Sequence, residues 1–256
     1  MRLIRLLKVE FLKIRRSQIV WLLLAAVILL WVPSVLHAHL NFEMQAEGIS
    51  PEHNFFIQGF LGFCWFLFPS CMVVVTVMLN QTERNNRGIL KMLSLPVSTS
   101  KLCLAKFFVL LSLAALHTTL AIGMYLLSAK IVSVMQNYPF LLPQSFVWKE
   151  AGLIFLTAIP MLSFFWMLAV CIRTPVFAIG AGLASVVPSV LAINTKIWFL
   201  DPMAYPFYVL TSEYSKLAEH LSDFDVQLVP WLPAGILLTV CCLGISCLCF
   251  GQAERR

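Results

Sequence analysis

The chain has 256 residues, of which 60% are hydrophobic and 12% are charged, and its formal net charge is +6. Soluble domains carry about 25% charged residues, so this composition excludes an ordinary soluble globular protein. The alternating ten-residue pattern of membrane β-barrels is absent from the sequence, and helices are the other way to satisfy a backbone in lipid. We therefore predict an all-α polytopic membrane protein.

Residues 1–16 form a basic segment with helical periodicity that precedes the first long apolar stretch. We predict an amphipathic helix at the membrane surface with its basic side chains toward anionic headgroups. The alternative is ordinary positively charged flanking sequence. No A-x-A cleavage site follows, so we expect a retained first span rather than a secretory signal. The apolar side chains that share one face are Leu3, Ile4, Leu7, Phe11 and Ile14.

Six stretches are long enough to cross the membrane, because a spanning helix needs about 20 mainly apolar residues. We predict a single transmembrane domain over 1–256. The expected spans lie at approximately 17–36, 55–79, 105–128, 147–172, 176–194 and 230–250.

Basic residues favour cytoplasmic flanks of membrane spans. With the N-terminus inside, most Lys and Arg residues fall in inner segments and most acids fall outside. The sequence thus predicts a multi-pass protein of the cell membrane with both termini in the cytoplasm. The positive charge is an orientation signal and not a nucleic-acid footprint. The acids predicted to lie outside are Glu43, Glu47, Glu52, Glu150, Asp201, Glu213, Glu219, Asp223 and Asp225.

A polar hairpin interrupts the apolar sequence between the second and third spans. Residues 79–107 read LNQTERNNRGILKMLSLPVSTSKLCLAKF. A short amphipathic helix fits before Pro96, and Ser98 or Ser100 can cap the helix that follows. Such a helix either lies on the membrane or inserts into a groove on a partner protein.

Two spans carry side chains with distinct patterns. The second is rich in aromatic residues, which either face lipid or line a path for a large amphipathic substrate. The candidates for the substrate path are Phe56, Phe60, Phe63 and Phe66. The fifth span offers small residues that permit close helix approach, within the chain or in a dimer. These packing candidates are Ala178, Gly182 and Ser185.

Ionisable groups are rare inside the predicted spans. His117 is the one that lies deep in a span apart from the cysteines, and we interpret it as a packing residue rather than a proton relay. We expect no carboxylate inside the spans, and ion-coupled carriers usually keep one there. The energy for any transport would then come from elsewhere.

The loop at 195–229 contains a second amphipathic pattern, punctuated at its start by Asp201 and Pro206. A helix here fits either on the outer leaflet or as a plug over the mouth of a path, and both remain open. The residues of its apolar stripe are Phe207, Leu210, Tyr214, Leu217 and Leu221.

The hairpin resembles the first cytoplasmic loop of ABC-2-type transporter permeases. Its Glu83, Gly88, LSLPVS at 93–98, and Lys106 ten residues after Pro96 match the pattern of that loop. The resemblance implies a coupling helix that docks on a separate ATPase. It assigns this contact to Glu83, Arg87, Gly88, Ile89, Leu90, Lys91, Met92, Leu93, Leu95 and Pro96.

Within that family the chain is most similar to permease subunits that confer bacterial self-protection against lantibiotics. This resemblance implies an exporter that expels a lantibiotic-type peptide from the membrane. It also implies a second, different permease and two copies of an ATPase that holds ATP and Mg²⁺, with no cofactor on this chain. Alternatives are an accessory or sensor subunit that binds the peptide without moving it, and an exporter of another drug or lipid.

Enzymatic activity finds little support in the sequence. There is no Gly-Lys pair and hence no P-loop, and neither H-E-x-x-H nor G-x-S-x-G occurs. An intramembrane protease or transferase would need polar residues clustered at one depth in the spans. A metal site at His37, His39, Glu43 and His53 is a disfavoured alternative, because positions two apart on a helix point away from each other.

Overall fold

The computed structural model describes residues 3–15, 17–43, 48–84, 98–218 and 228–250, except for the side chains of 3–5, 15, 82–84 and 228. The described residues contain helices and connecting turns and no strand. Six helices are long and apolar enough to cross a membrane, which confirms the predicted all-α polytopic fold. These spans are Ile19–Leu36, Pro51–Gln81, Thr99–Gln136, Gln144–Cys171, Pro175–Ala192 and Val229–Cys249.

Several spans are built from more than one helical segment. The second joins Pro51–Gly62, a π-helical turn Phe63–Leu67, and Phe68–Arg84. The fourth joins Gln144–Thr157 and Ile159–Cys171, and the fifth joins Pro175–Val186 and Ser189–Ala192. The sixth span belongs to a helix over Leu228–Cys249. The remaining elements are the N-terminal helix Leu3–Arg15, a short helix Leu40–Glu43, a 3₁₀ turn Trp198–Leu200, and the loop helix Tyr205–Leu217.

Proline and a serine cap explain two of these boundaries. Pro69 has no N–H, so the carbonyl four residues earlier loses its helical donor, and the helix widens into the π turn just before it. At the start of the third span the Ser98 hydroxyl accepts a hydrogen bond from the Lys101 N–H at 3.2 Å. The predicted capping role of Ser98 is thereby confirmed.

An aromatic cluster joins the first three spans. The Trp31 ring lies 5.6 Å from Phe55, 5.8 Å from Phe60 and 5.7 Å from Tyr125, measured between ring centroids. All four side chains are buried. Buried aromatic pairs contribute about 0.5–1.5 kcal/mol each beyond the area they bury. The cluster therefore forms a large part of the core where the first three spans meet.

The fifth span packs on the second through small residues. Ala178 is buried beside Val77 and Ala169. A Cβ atom added at Gly182 would lie 2.8 Å from both methyl groups of Val73. The Ser185 hydroxyl donates to the Gly182 carbonyl of its own helix. The structure thus places Ala178 and Gly182 against another helix of the same chain.

Replacing Gly182 by alanine is expected to lower the free energy of unfolding by about 1–3 kcal/mol, because its Cβ overlaps Val73. The control is Gly180→Ala on the same helix, where an added Cβ meets nothing within 4 Å. Alanine there should stabilise the helix by about 1 kcal/mol. Thermal unfolding in detergent measures both. Equal effects of the two variants would contradict the contact with Val73.

The loop helix packs on the fourth span and on the first half of the second span. Its Leu210 and Ser212 are buried. An aromatic group of Trp198, Tyr205, Tyr208 and Trp231 holds this region to the sixth span, and the Trp198 and Tyr208 rings stack with their centroids 3.8 Å apart. The loop helix therefore lies against the bundle. Leu221, the last residue of its predicted stripe, lies outside the described residues.

Candidate coupling site, buried charges and apolar cleft

Most of the predicted coupling residues lie outside the described part of the chain. Glu83 belongs to the helix that ends at Arg84, and its side chain is not described. The others, from Arg87 to Pro96, fall in the segment 85–97. The coupling helix therefore stays a prediction. The structure does describe the two helices that hold this hairpin at each end.

Both ends of the hairpin are anchored by polar contacts. Before it, the buried Asn80 amide donates a hydrogen bond to the carbonyl of Ala169 on the fourth span. After it, Ser98 caps the third span. The Asn80 contact joins the second span to the fourth beside the hairpin, whereas the Ser98 cap is local to the third span. We refer to this end of the bundle as the hairpin end.

A buried ion pair fastens the N-terminal helix to the third span at the hairpin end. The Lys106 ammonium lies 3.1 Å from Oε2 of Glu10, and the two residues are 96 positions apart. Lys13 donates to the other carboxylate oxygen at 2.7 Å. The Lys106 side chain is 2% exposed and that of Glu10 is 5% exposed. We call this group of three residues the coupling joint.

The electrostatics of the joint favour an ionised Glu10. Burial opposes its ionisation, but the positive charge of Lys106 and the hydrogen bond and charge of Lys13 outweigh burial, so the pKa of Glu10 is lowered from its usual value. Two cations around one carboxylate also leave this contact with a positive charge. The joint is therefore a charged structural contact between the N-terminal helix and the third span.

Sequence reasoning singled out Lys106 and missed its partner. The notable signal is that Glu10 is the one acid in a basic amphipathic segment. The structure buries Leu6, Glu10 and Ile14 against the bundle and leaves Leu7 and Phe11 at the edge of that contact. The face that packs is thus rotated from the apolar face predicted for this helix. It includes an acid because a lysine lies opposite it.

Glu150 corrects one expectation. The sequence predicts no carboxylate inside the spans, but the Glu150 side chain is 1% exposed and belongs to the fourth candidate span, Gln144–Cys171. Its assignment to the outer side of the membrane stays a prediction. The Lys149 ammonium lies 3.4 Å from Oε1. Both oxygens are without a hydrogen-bond partner among the described residues. The loop helix covers this face of the span, which periodicity along the span itself does not reveal.

His117 lies in the core as predicted for a packing residue. Its ring lies 5.1 Å from Phe63 and 5.7 Å from Phe68, and the second of these contacts is stacked. Neither ring nitrogen has a hydrogen-bond partner in the described structure. A proton relay needs a partner for the transferred proton, and these aromatic neighbours supply none.

The aromatic candidates for a substrate path divide into two groups. Phe56, Phe60 and Phe63 are fully buried in the core cluster. Phe66 is 54% exposed and points out of the bundle beside Trp65. The structure thus brings three of the four together, but as packed core rather than as the wall of an open cavity.

An apolar cleft of about 430 Å³ lies between the fourth and sixth spans, which pack against each other elsewhere along their length. Leu156, Ile236 and Val240 line it, and Tyr205 and Trp231 lie at the loop-helix end. Its Thr157 and Thr239 hydroxyls donate to carbonyls of their own helices. The residues lining the cleft therefore suit hydrocarbon better than a polar ligand.

No group of three His, Cys, Asp or Glu side chains in the described segments is arranged to hold a metal ion. His37 and His39 lie with ring centroids 6.2 Å apart on the turn after the first span. This arrangement does not support the disfavoured metal site.

Comparison with known proteins assigns the family. The model of a family described as ABC-2 family transporter protein matches residues 6–189, from the N-terminal helix through most of the fifth span. Searches of curated proteins and of solved structures gave no significant match. The matched region contains the coupling joint, the hairpin, the first four spans and most of the fifth. The chain belongs to the ABC-2 transporter family and is its membrane-embedded permease subunit, which works with a separate ATPase.

Proposed function

We propose that this permease expels an amphipathic, lantibiotic-type peptide from the cell membrane and so protects the cell that carries it. In this proposal two copies of the ATPase dock on the hairpin, and a second, different permease completes the path. Both termini and the hairpin face the cytoplasm. ATP and Mg²⁺ bind to the ATPase, and this chain supplies the path and the mechanical coupling.

The coupling joint is the observation that carries the transport mechanism. The ion pair of Glu10 with Lys106 ties the N-terminal helix to the third span ten residues after Pro96 of the hairpin. A stroke of the ATPase against the hairpin would therefore move the N-terminal helix and the third span together. An accessory subunit that only binds a peptide has no need of such a connection.

The apolar cleft supports a substrate that resides in the membrane. It lies within two spans, and its volume of about 430 Å³ is in the usual range for ligand sites, about 300–1,000 Å³. The aromatic group at its loop-helix end combines apolar rings with polar tips, as do residues at a membrane interface. This arrangement suits the apolar side of an amphipathic molecule.

The docking part of the proposal is tested by replacing Leu90 and Leu93 with aspartate. We expect the ATPase to dissociate from membranes while the permease stays inserted, because two charges would enter an apolar contact. The control is Leu200→Asp, an exposed leucine at the other end of the bundle, which should leave the ATPase bound. Undiminished co-purification of the ATPase with the double variant would contradict docking at the hairpin.

The substrate is tested by survival of a sensitive bacterial host that expresses the chain, its partner permease and the ATPase. We expect protection from one lantibiotic in a panel that also contains unrelated drugs. Protection should disappear when the ATPase is catalytically inactive. Protection that persists with the inactive ATPase would indicate a binding subunit. Protection from a drug or lipid instead of a peptide would support the proposed export but identify a different substrate.

A further inference from the structure

A second apolar groove lies at the hairpin end, between the N-terminal helix and the third span. Its volume is about 410 Å³. Leu7 and Phe11 form one wall, Phe108 and Ala115 form the other, and Phe155 of the fourth span lies at its side. The Ser112 hydroxyl in this groove donates to the Phe108 carbonyl, so it is already satisfied. The interior of the groove is therefore suited to a hydrocarbon chain.

Two exposed lysines lie on the helices that form this groove, close in sequence to residues that line it. Lys101 is exposed and stands two helical turns before Phe108, hence on the same face of the third span. Lys8 is exposed and follows Leu7 on the edge of the N-terminal helix that borders the groove. The backbone N–H groups of the first turn of the third span add a partial positive charge there.

Among the acids whose side chains the structure describes, Glu10 of the N-terminal helix does not cancel this charge. Glu10 is the one acid of the N-terminal segment, and Lys106 and Lys13 already neutralise it. An apolar groove between helices that carry exposed lysines matches a molecule that has a hydrocarbon chain and an anionic head. A second copy of this chain matches it less well, because the basic edge of the same helix would repel its counterpart.

We propose that this groove binds an anionic phospholipid of the leaflet at the hairpin end. One acyl chain lies between Phe11 and Phe108, and the phosphate contacts Lys8 and Lys101. Because the lipid touches the N-terminal helix next to the coupling joint, it acts as part of the contact that holds this helix on the third span. The site depends neither on the identity of the exported substrate nor on the ATPase.

Native mass spectrometry of the full chain tests the site. The chain is released from nanodiscs that contain equal amounts of phosphatidylglycerol and phosphatidylcholine with identical acyl chains. We expect one phosphatidylglycerol molecule to be retained preferentially. Lys8→Gln and Lys101→Gln should each reduce that preference roughly fivefold, because each removes one lysine contact with the anionic surface. Both side chains are exposed, so the variants should fold normally.

Two controls separate this site from general lipid contact. Lys130→Gln removes an exposed lysine at the opposite end of the same helix and should leave the preference unchanged. Ala115→Trp fills the groove and should abolish retention of either lipid, whereas Ala181→Trp on the exposed face of the fifth span should not. Equal retention of the two lipids by the wild type would overturn the proposal. A dimer of the chain that Ala115→Trp dissociates, with lipid retention unchanged, would also overturn it.

Discussion

Replacing Glu10 by leucine is expected to lower the free energy of unfolding by about 3–5 kcal/mol, because it leaves the Lys106 ammonium buried without its carboxylate. Lys106→Met should cost less than this, because Lys13 still contacts the other oxygen of the Glu10 carboxylate. The double variant Glu10→Leu with Lys106→Met should recover most of the loss, since neither charge then remains buried. Thermal unfolding in detergent, analysed as a double-mutant cycle, measures the coupling between the two residues.

The matched control for this cycle is Lys130→Met, which removes an exposed lysine from the same helix and should change stability by less than about 1 kcal/mol. The double variant also separates stability from coupling. We expect it to fold and bind the ATPase but to transport less per ATP hydrolysed, if the charged joint transmits force. Additive losses from the single changes would show that Glu10 and Lys106 do not form the contact described here.

Phe60→Ala is expected to destabilise the protein by about 3–5 kcal/mol, because the fully buried ring contacts Trp31, Phe56 and Phe63 in the core. The neighbouring Phe66→Ala removes the same atoms from an exposed position and should change stability little. We compare the thermal unfolding midpoints of the two variants and the amount of each variant in the membrane. These measurements decide whether the aromatic side chains of the second span act as core or line a substrate path.

The opposite pattern would favour the substrate path. If Phe60→Ala inserted and unfolded like the wild type but lost peptide protection, its ring would have to contact substrate in another conformation. A loss of protection in Phe66→Ala with normal stability would instead assign that role to the exposed ring. Each variant therefore needs stability and protection measured on the same preparation.

The sequence identified features that depend on local properties of the chain. Span positions follow from apolar length, so the predicted 17–36 and 176–194 differ little from the observed Ile19–Leu36 and Pro175–Ala192. The spans around the hairpin are longer than predicted, since the third begins at Thr99 and continues to Gln136. The helices there continue through polar residues, which a prediction from hydropathy leaves outside the span. The Ser98 cap was equally predictable, because it needs only a serine before a helix.

Charged residues at span ends were harder to place. Glu150 and Lys106 both occur near predicted boundaries, where a charge ordinarily faces water. Their burial depends on what packs over them, the loop helix for Glu150 and the N-terminal helix for Lys106. Both covering helices are distant in sequence, so no local pattern indicates these contacts. For the same reason, the partner of Lys106 and the groove beside Phe108 could not be predicted from the sequence.

The sequence alone determined the class, the number of spans and the family resemblance of this protein, because apolar length, charge distribution and a short hairpin motif are properties of neighbouring residues. Only the tertiary structure decided that Glu10 meets Lys106, that Gly182 meets Val73, and that Phe60 is core while Phe66 is exposed. These facts depend on which face of each helix meets another helix. In a chain that is apolar all round its spans, periodicity carries little of that information.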